Sequence, residues 1–266
     1  MKEGQAVIPN DHAITVHRFG EQRWIDKVID GELSFSCAGA FIHQAKKTGN
    51  YIQGDLHEAV FARLLKNDVR IAQMRALLGT DLEEIPDGEY VFLRRHSAKR
   101  KPIFCFYGYT AGDALDDGHI DHEGLNRIRH EFDEKMYSGF SQNIDVRNVV
   151  SDEYRFTELT VIAGALGDRV RAVMDMNGFS YKMGRIDYDI MNKDEFFIQP
   201  TSSYDELFYK HPAYKYQYEA RICLFNMKLN TIFDRFALQI PPLTKDEYAK
   251  VYERTYMSFD AVIKKK

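Results

Sequence analysis

Apolar and polar residues alternate over Ala13–Phe19, where Ile14, Val16 and Arg18 interleave with Thr15 and His17, and this spacing predicts a strand. The period then lengthens. Trp24, Ile25, Val28 and Ile29 recur at helical spacing within Glu21–Asp30, and Gly31 is placed to end the helix. Strand character returns in Leu33–Cys37, with Leu33 and Phe35 on one face and Ser34 and Ser36 on the other.

Beyond this strand–helix–strand unit, Phe41–Gly54 reads as a loop because of Gly49, Asn50 and Gly54. Asp55 is then a helix cap, with Glu58 three residues on as its capping-box partner and Val60, Phe61, Leu64 and Leu65 as the apolar face. Val69–Leu78 predicts a second helix stopped by Gly79. Tyr90–Arg95 and Pro102–Tyr109 read as paired strands around a basic connector, and Glu123–Tyr137 as a helix. Strands are expected at Phe156–Ile162, Val170–Met176, Lys182–Tyr188 and Tyr214–Phe225, with a short helix at Tyr204–Tyr209. Thr244 and Glu247 form a second capping-box signature, which predicts a helix through Tyr256.

These elements predict one α+β domain over residues 1–266, with a helical N-terminal half and a strand-rich C-terminal half. A twisted, mainly antiparallel sheet carries the packed helices. The second half has too many successive strands for a doubly wound fold, and no Gly-rich dinucleotide or Walker loop is present.

Composition narrows the class. At 44% hydrophobic and 29% charged, the chain has the make-up of a globular protein, not of a disordered or collagenous one. Its 36 basic and 40 acidic residues argue against a surface that wraps nucleic acid throughout, but leave a local basic groove open. Cys37, Cys105 and Cys223 are widely spaced with no CxxC pair, so buried free thiols in a reducing, cytoplasmic compartment are expected. No apolar run is long enough for a spanning helix, no membrane partner is expected, and Met1–Asn10 has no signal core.

Five places are weighed for candidate chemistry. Arg18 offers a guanidinium fork suited to a pyrophosphate, and Ser34 and Ser36 are hydroxyls on an adjacent strand. Around the predicted strand at Tyr214, period-two geometry puts Lys215, Gln217, Glu219 and Arg221 on one face and Tyr214, Tyr216 and Tyr218 on the other. At Gly54-Asp55, the capping role outweighs catalysis, while His57 and Glu58 have the chemistry to serve a cleft. His119, Asp121, His122 and Glu123 match no strong metal signature and read as a solvated loop, although a metal-dependent hydrolase or nuclease would draw on such residues. The basic connector, with Arg94, Arg95, Lys99, Arg100 and Lys101, reads as a solvated hairpin tip, or alternatively as a phosphate-contacting segment beside Tyr107 and Tyr109.

Gly31-Glu32-Leu33-Ser34-Phe35-Ser36, then Gly54-Asp55 and Glu58, then Lys210 with Tyr218-Glu219-Ala220-Arg221-Ile222 resemble an uncharacterised bacterial and phage domain family with GELYFS-like and YExEYRI-like strands. That family's Asn-Asp-Pro-Phe and Trp-His-Tyr elements are absent here. Arg18, Ser34 or Ser36, and Gln217-Tyr218-Glu219 also resemble, in order and residue type, the ADP-ribosyltransferases of the Arg–Ser–Glu type. The Arg18–Ser34 spacing is short for such enzymes, and periodicity puts Gln217 and Glu219 inside a strand where they have a loop-to-strand junction. The resemblance implies NAD as substrate and Arg18 and Ser34 as its binding residues, with Tyr216 or Tyr218 stacking on nicotinamide. Glu219, Gln217 and Ser36 are then the catalytic set. The alternative is a noncatalytic module of phage or phage-defence origin that binds a protein or nucleic-acid target.

Overall fold

Alternation over Thr15, Val16 and His17 does build a strand, β1 (Ala13–Glu21), and helical spacing builds α1 (Gln22–Ile29), which buries Ile25, Val28 and Ile29. Strand β2 (Glu32–Cys37) buries every second residue, Leu33, Phe35 and Cys37. The computed structural model describes residues 13–49, 54–110, 113, 126–131, 156–252 and 258–263. The fold is α+β, with helices and twisted, mainly antiparallel sheets.

The chain groups into two compact units. The first comprises residues 1–30, 106–170 and 241–266. In it, β1 lies between the later residues of β6 (Pro102–Thr110) and β8 (Phe156–Ile162), and β8 pairs on its other side with β13 (Tyr248–Tyr252). Its core includes Val16, Phe19, Tyr107, Leu159 and Val161, with the Phe19 and Tyr107 rings 5.1 Å apart. His17 is buried but satisfied, 2.9 Å from Thr15 Oγ1 and 3.1 Å from Thr160 Oγ1. Strands β7 (Asn126–Glu131) and β14 (Ser258–Ile263) form a separate antiparallel pair.

The second unit comprises residues 31–105 and 171–240. One of its sheets runs in the order β10 (Phe196–Phe197), β3 (Val60–Leu65), β5 (Tyr90–Arg95), β4 (Leu82–Asp87), and α3 (Val69–Leu78) packs Ile71 and Met74 into its core. Elsewhere in the unit β2 pairs with β12 (Phe236–Gln239) and with the start of β6, and β11 (Glu219–Leu224) pairs with β9 (Tyr181–Arg185).

Several expectations are corrected. The predicted loop after β2 is largely α2 (Ala38–Thr48), capped by Gly49 in the left-handed region. The predicted helix after Asp55 is a turn followed by β3, because Val60, Phe61, Ala62 and Leu64 are all buried between neighbours. A continuous apolar run does not distinguish helix from strand, and pairing with β5 and β10 decides it. Conversely, Val170–Met176 is helical, within α4 (Ala163–Met176), where Leu166, Val170 and Met174 recur every four residues and are buried. The capping-box bond at Thr244 does form, with its N–H donating to Glu247 Oε2 at 2.7 Å, but the turn leads into β13 and not into a helix. Residues 126–131 of the predicted Glu123–Tyr137 helix are β7. Strands β5 and β6 do not pair with each other.

The basic connector is not a solvated tip. Arg94, Arg95 and Lys101 are buried. Arg95 grips Glu206 through two bonds of 2.6 and 2.8 Å, and Arg94 donates to the Leu56 carbonyl oxygen at 2.6 Å. Lys101 donates to the carbonyls of Phe225 and Met227. Buried cations persist only when paired, and these hold loops of the second unit to its sheets.

Candidate functional site

The second unit contains a dense set of buried charges. Its centre is Arg221 of β11, fully buried. Arg221 Nε donates to Glu219 Oε1 at 2.5 Å, and Nη1 donates to Glu58 Oε1 at 2.5 Å and to the Leu207 carbonyl oxygen at 2.6 Å. Lys210 Nζ donates to Glu219 Oε2 at 2.5 Å and to Gln217 Oε1 at 3.3 Å, and lies 3.8 Å from Glu58 Oε2. Two cations therefore face two carboxylates. The rigid guanidinium fork is what allows one residue to bridge both glutamates.

Local structure explains how these side chains arrive. The chain crosses α2 at Gly54, where a Cβ would lie 2.5 Å from the Phe41 carbonyl oxygen and 2.7 Å from the Ala45 nitrogen, so only glycine fits. Asp55 Oδ1 then accepts from the His57 N–H at 2.8 Å and closes a turn that delivers Glu58. Ala59 leaves that turn with φ 61°, in the left-handed region.

A similar device presents Glu219. Pro212–Gln217 is a 3-10 helix, Tyr218 has φ 46°, and Glu219 opens β11. Its N–H donates to the Tyr188 hydroxyl at 3.2 Å. The predicted strand over Tyr214–Phe225 is thus corrected to Glu219–Leu224, because Pro212 starts a helical turn where its missing N–H costs nothing. Among the described residues, three non-glycines have positive φ, and two of them adjoin Glu58 and Glu219. Such strain persists where surrounding contacts over-determine it, and it clusters at functional sites.

The electrostatics fix the protonation states. Burial alone would raise the Glu219 carboxyl, but Arg221 and Lys210 outweigh it and hold the group down to about 2. Burial opposes the charge on Lys210 and Arg221, yet Glu219 and Glu58 raise both. Burial, and then the Glu219 charge, raise the Cys105 thiol and the Tyr188 hydroxyl. At neutral pH Glu219 is an anion and the thiols are inert.

The predicted site residues divide between the units. Arg18 lies in β1 of the first unit, opposite Leu159 of β8. Ser34, Ser36, Tyr216, Gln217, Tyr218 and Glu219 lie in the second. Ser36 stands opposite Ile103, which clusters with Cys223 and is packed by Cys105. Strand alternation puts Cys223, Arg221 and Glu219 on one face of β11. Among the described residues, the buried Ser36 hydroxyl has no hydrogen-bond partner, and neither do Glu58 Oε2, Asp55 Oδ2 and Arg221 Nη2. Ser34, opposite Ala237, is half-buried. Tyr216 and Tyr218 are half-buried, and the Arg185 guanidinium lies 6.0 Å from the Tyr218 ring. The expected polar stripe reduces to Glu219 and Arg221, because Lys215 and Gln217 belong to the 3-10 helix.

Lys210 opens the segment through Arg221 that the sequence marks as candidate chemistry, but its bond to Glu219 is not legible there, and neither is the role of Tyr188. Lys210 lies only nine residues from Glu219, but a turn separates them and removes any periodic signal. Tyr188 carries none. His119, Asp121, His122 and Glu123 lie outside the described residues, and among the described residues no group of three or more His, Cys, Asp or Glu side chains is arranged to hold a metal. Nor is any described helix long and apolar enough to cross a membrane. No protein-family model, curated protein or solved structure matches the chain.

Proposed function

We propose that the chain is an NAD-consuming, ADP-ribosyltransferase-like enzyme in which Glu219 is the catalytic carboxylate. The observation that carries this reading is the junction at Gln217–Glu219. A helical turn ends at Gln217, left-handed Tyr218 reverses the chain, and Glu219 opens a strand, the loop-to-strand arrangement that Gln-x-Glu enzymes of this type use.

The chemistry follows from charge. When the bond between nicotinamide and ribose breaks, the electron pair leaves with the ring nitrogen and positive charge develops on the sugar. A carboxylate that stays ionised stabilises that charge until a nucleophile bonds the same carbon. Glu219 meets the requirement of ionisation. Both its oxygens are engaged, so substrate would take the place of Lys210 Nζ on Oε2. Gln217 orients the nucleophile and the Ser36 hydroxyl supplies a further polar contact. Ser34 contacts the dinucleotide, and Tyr216 or Tyr218 stacks on nicotinamide.

The burial of Glu219 between Lys210 and Arg221 favours a second reading, in which the cluster is structural and the chain is a noncatalytic interaction module of phage or phage-defence origin, with a protein or nucleic-acid target. Incubation with NAD, read as free nicotinamide and as ADP-ribose attached to protein, separates the two. The enzyme reading expects release from the native chain and none from Glu219→Gln at unchanged circular dichroism. No release from the native chain overturns it in favour of the module.

A further inference from the structure

The second unit also carries a cleft of about 280 Å³ that the transferase reading does not use. Its apolar lining is Phe92, Phe196 and Met191, all buried and all part of the core behind β3 and β5. His57 and His211 line it as well. The His57 ring packs tilted against Phe92, with centroids 4.3 Å apart and planes 36° from parallel, which fixes its position at the cleft wall. His211 Nδ1 accepts from the Ala213 N–H at 3.2 Å, which leaves Nε2 to carry the proton and act as a donor. Burial, more than any neighbour, lowers the His57 imidazole below its usual value, so it is neutral at pH 7 and offers an acceptor nitrogen.

The charges around the cleft balance. Arg63 is bound to Asp87 Oδ2 at 2.9 Å and to the Asp194 carbonyl oxygen at 3.1 Å, so its guanidinium is committed within the wall. At the rim, exposed Lys193 adjoins exposed Asp194. A cleft with two cations and two carboxylates has no net charge to favour an anion, and Arg63 is already committed to Asp87. What remains is an apolar floor of Phe92, Phe196 and Met191 bordered by two imidazoles.

We propose that this cleft binds an uncharged planar heteroaromatic ring of nucleobase type, packed on Phe92, Phe196 and Met191 and read at its edge by His57 and His211. The inference is independent of the transferase reading, since it involves none of Arg18, Ser36 or Glu219.

The test is a titration of the full chain with adenine and, separately, with inorganic phosphate, followed by the imidazole proton signals of His57 and His211. Each signal is assigned by its loss in His57→Gln and His211→Ala. Adenine should shift both signals saturably, and His211→Ala should weaken adenine binding by about tenfold, the equivalent of ~1.4 kcal/mol. His211 is exposed but its ring caps the turn at Ala213, so unchanged circular dichroism of the variant is required alongside. Unshifted imidazole signals at millimolar adenine would overturn the proposal. So would a saturable response to phosphate in place of adenine, or adenine binding that His211→Ala leaves unchanged.

Discussion

Arg221 and Glu58 lie 163 positions apart in the chain, yet their side chains meet at 2.5 Å with no solvent exposure on either. This contact ties β11 to the turn that precedes β3. Removing one partner strands the other as an uncompensated buried charge, which costs about 3–5 kcal/mol. Arg221→Met is therefore expected to lower the free energy of urea unfolding by that order. Arg221→Lys should not restore it, because a single ammonium cannot reproduce bonds to Glu58, Glu219 and the Leu207 carbonyl. Full recovery by lysine would show that charge alone suffices.

Gly54→Ala tests how Glu58 is delivered. The added methyl meets the backbone of α2 at both Phe41 and Ala45, and neither atom is a flexible side-chain end. Overpacking of this kind costs ~1–3 kcal/mol. The thermal midpoint should fall, and the amides of His57 and Glu58 should exchange faster with solvent. An unchanged midpoint would mean that the turn can lift off α2 at no cost.

The basic segment predicts a contrast. Arg95→Met leaves Glu206 buried without its guanidinium, a loss of about 3–5 kcal/mol. Lys99→Ser and Arg100→Ser remove partly exposed charges and should each stay within about 0.5 kcal/mol. Equilibrium denaturation of the three variants decides whether the segment acts as internal scaffolding. Equal effects would refute that role.

Acid should weaken the fold through Glu219. Its carboxyl titrates near 2 when folded and at about 4.3 when unfolded. In that interval the unfolded chain binds the extra proton, so stability is complete above the unfolded value and declines as pH falls toward the folded one. Urea midpoints measured from pH 6 to pH 2 should drop below about pH 4.5, and Glu219→Gln should flatten part of that limb.

Cys37 and Cys223 are buried, and burial raises all three thiols above their usual value. Native protein should therefore react slowly with a thiol reagent at pH 8, and three thiols should titrate once the chain is unfolded in denaturant. Rapid modification of any of them in the folded state would contradict this burial.

Much of the local structure was legible from residue spacing. The alternation of Leu33 to Cys37 and the helical recurrence of Ile25, Val28 and Ile29 each bury one face, which is the case that period detects. Spacing failed where burial was two-sided or the signal was generic. Val60–Leu65 is apolar throughout and became a strand only through its partners on both edges. Thr244 and Glu247 made the bond of a capping box but not the helix, since a single turn satisfies it. Arg94, Arg95 and Lys101 looked solvated because charge in sequence says nothing of the carboxylates and carbonyls that a distant loop will supply.

The sequence by itself determined an α+β fold, and it singled out Arg18, Ser34, Ser36, Tyr216, Gln217, Tyr218 and Glu219 as candidate site residues and Glu58 as a capping partner. Tertiary structure alone decided that Glu219 and Glu58 share one guanidinium, that Lys210 closes the cluster, and that His57 and His211 border a common cleft. The reason is physical: periodicity reports which face of an element is buried, whereas an ion pair forms between groups whose separation along the chain carries no information about their distance in space.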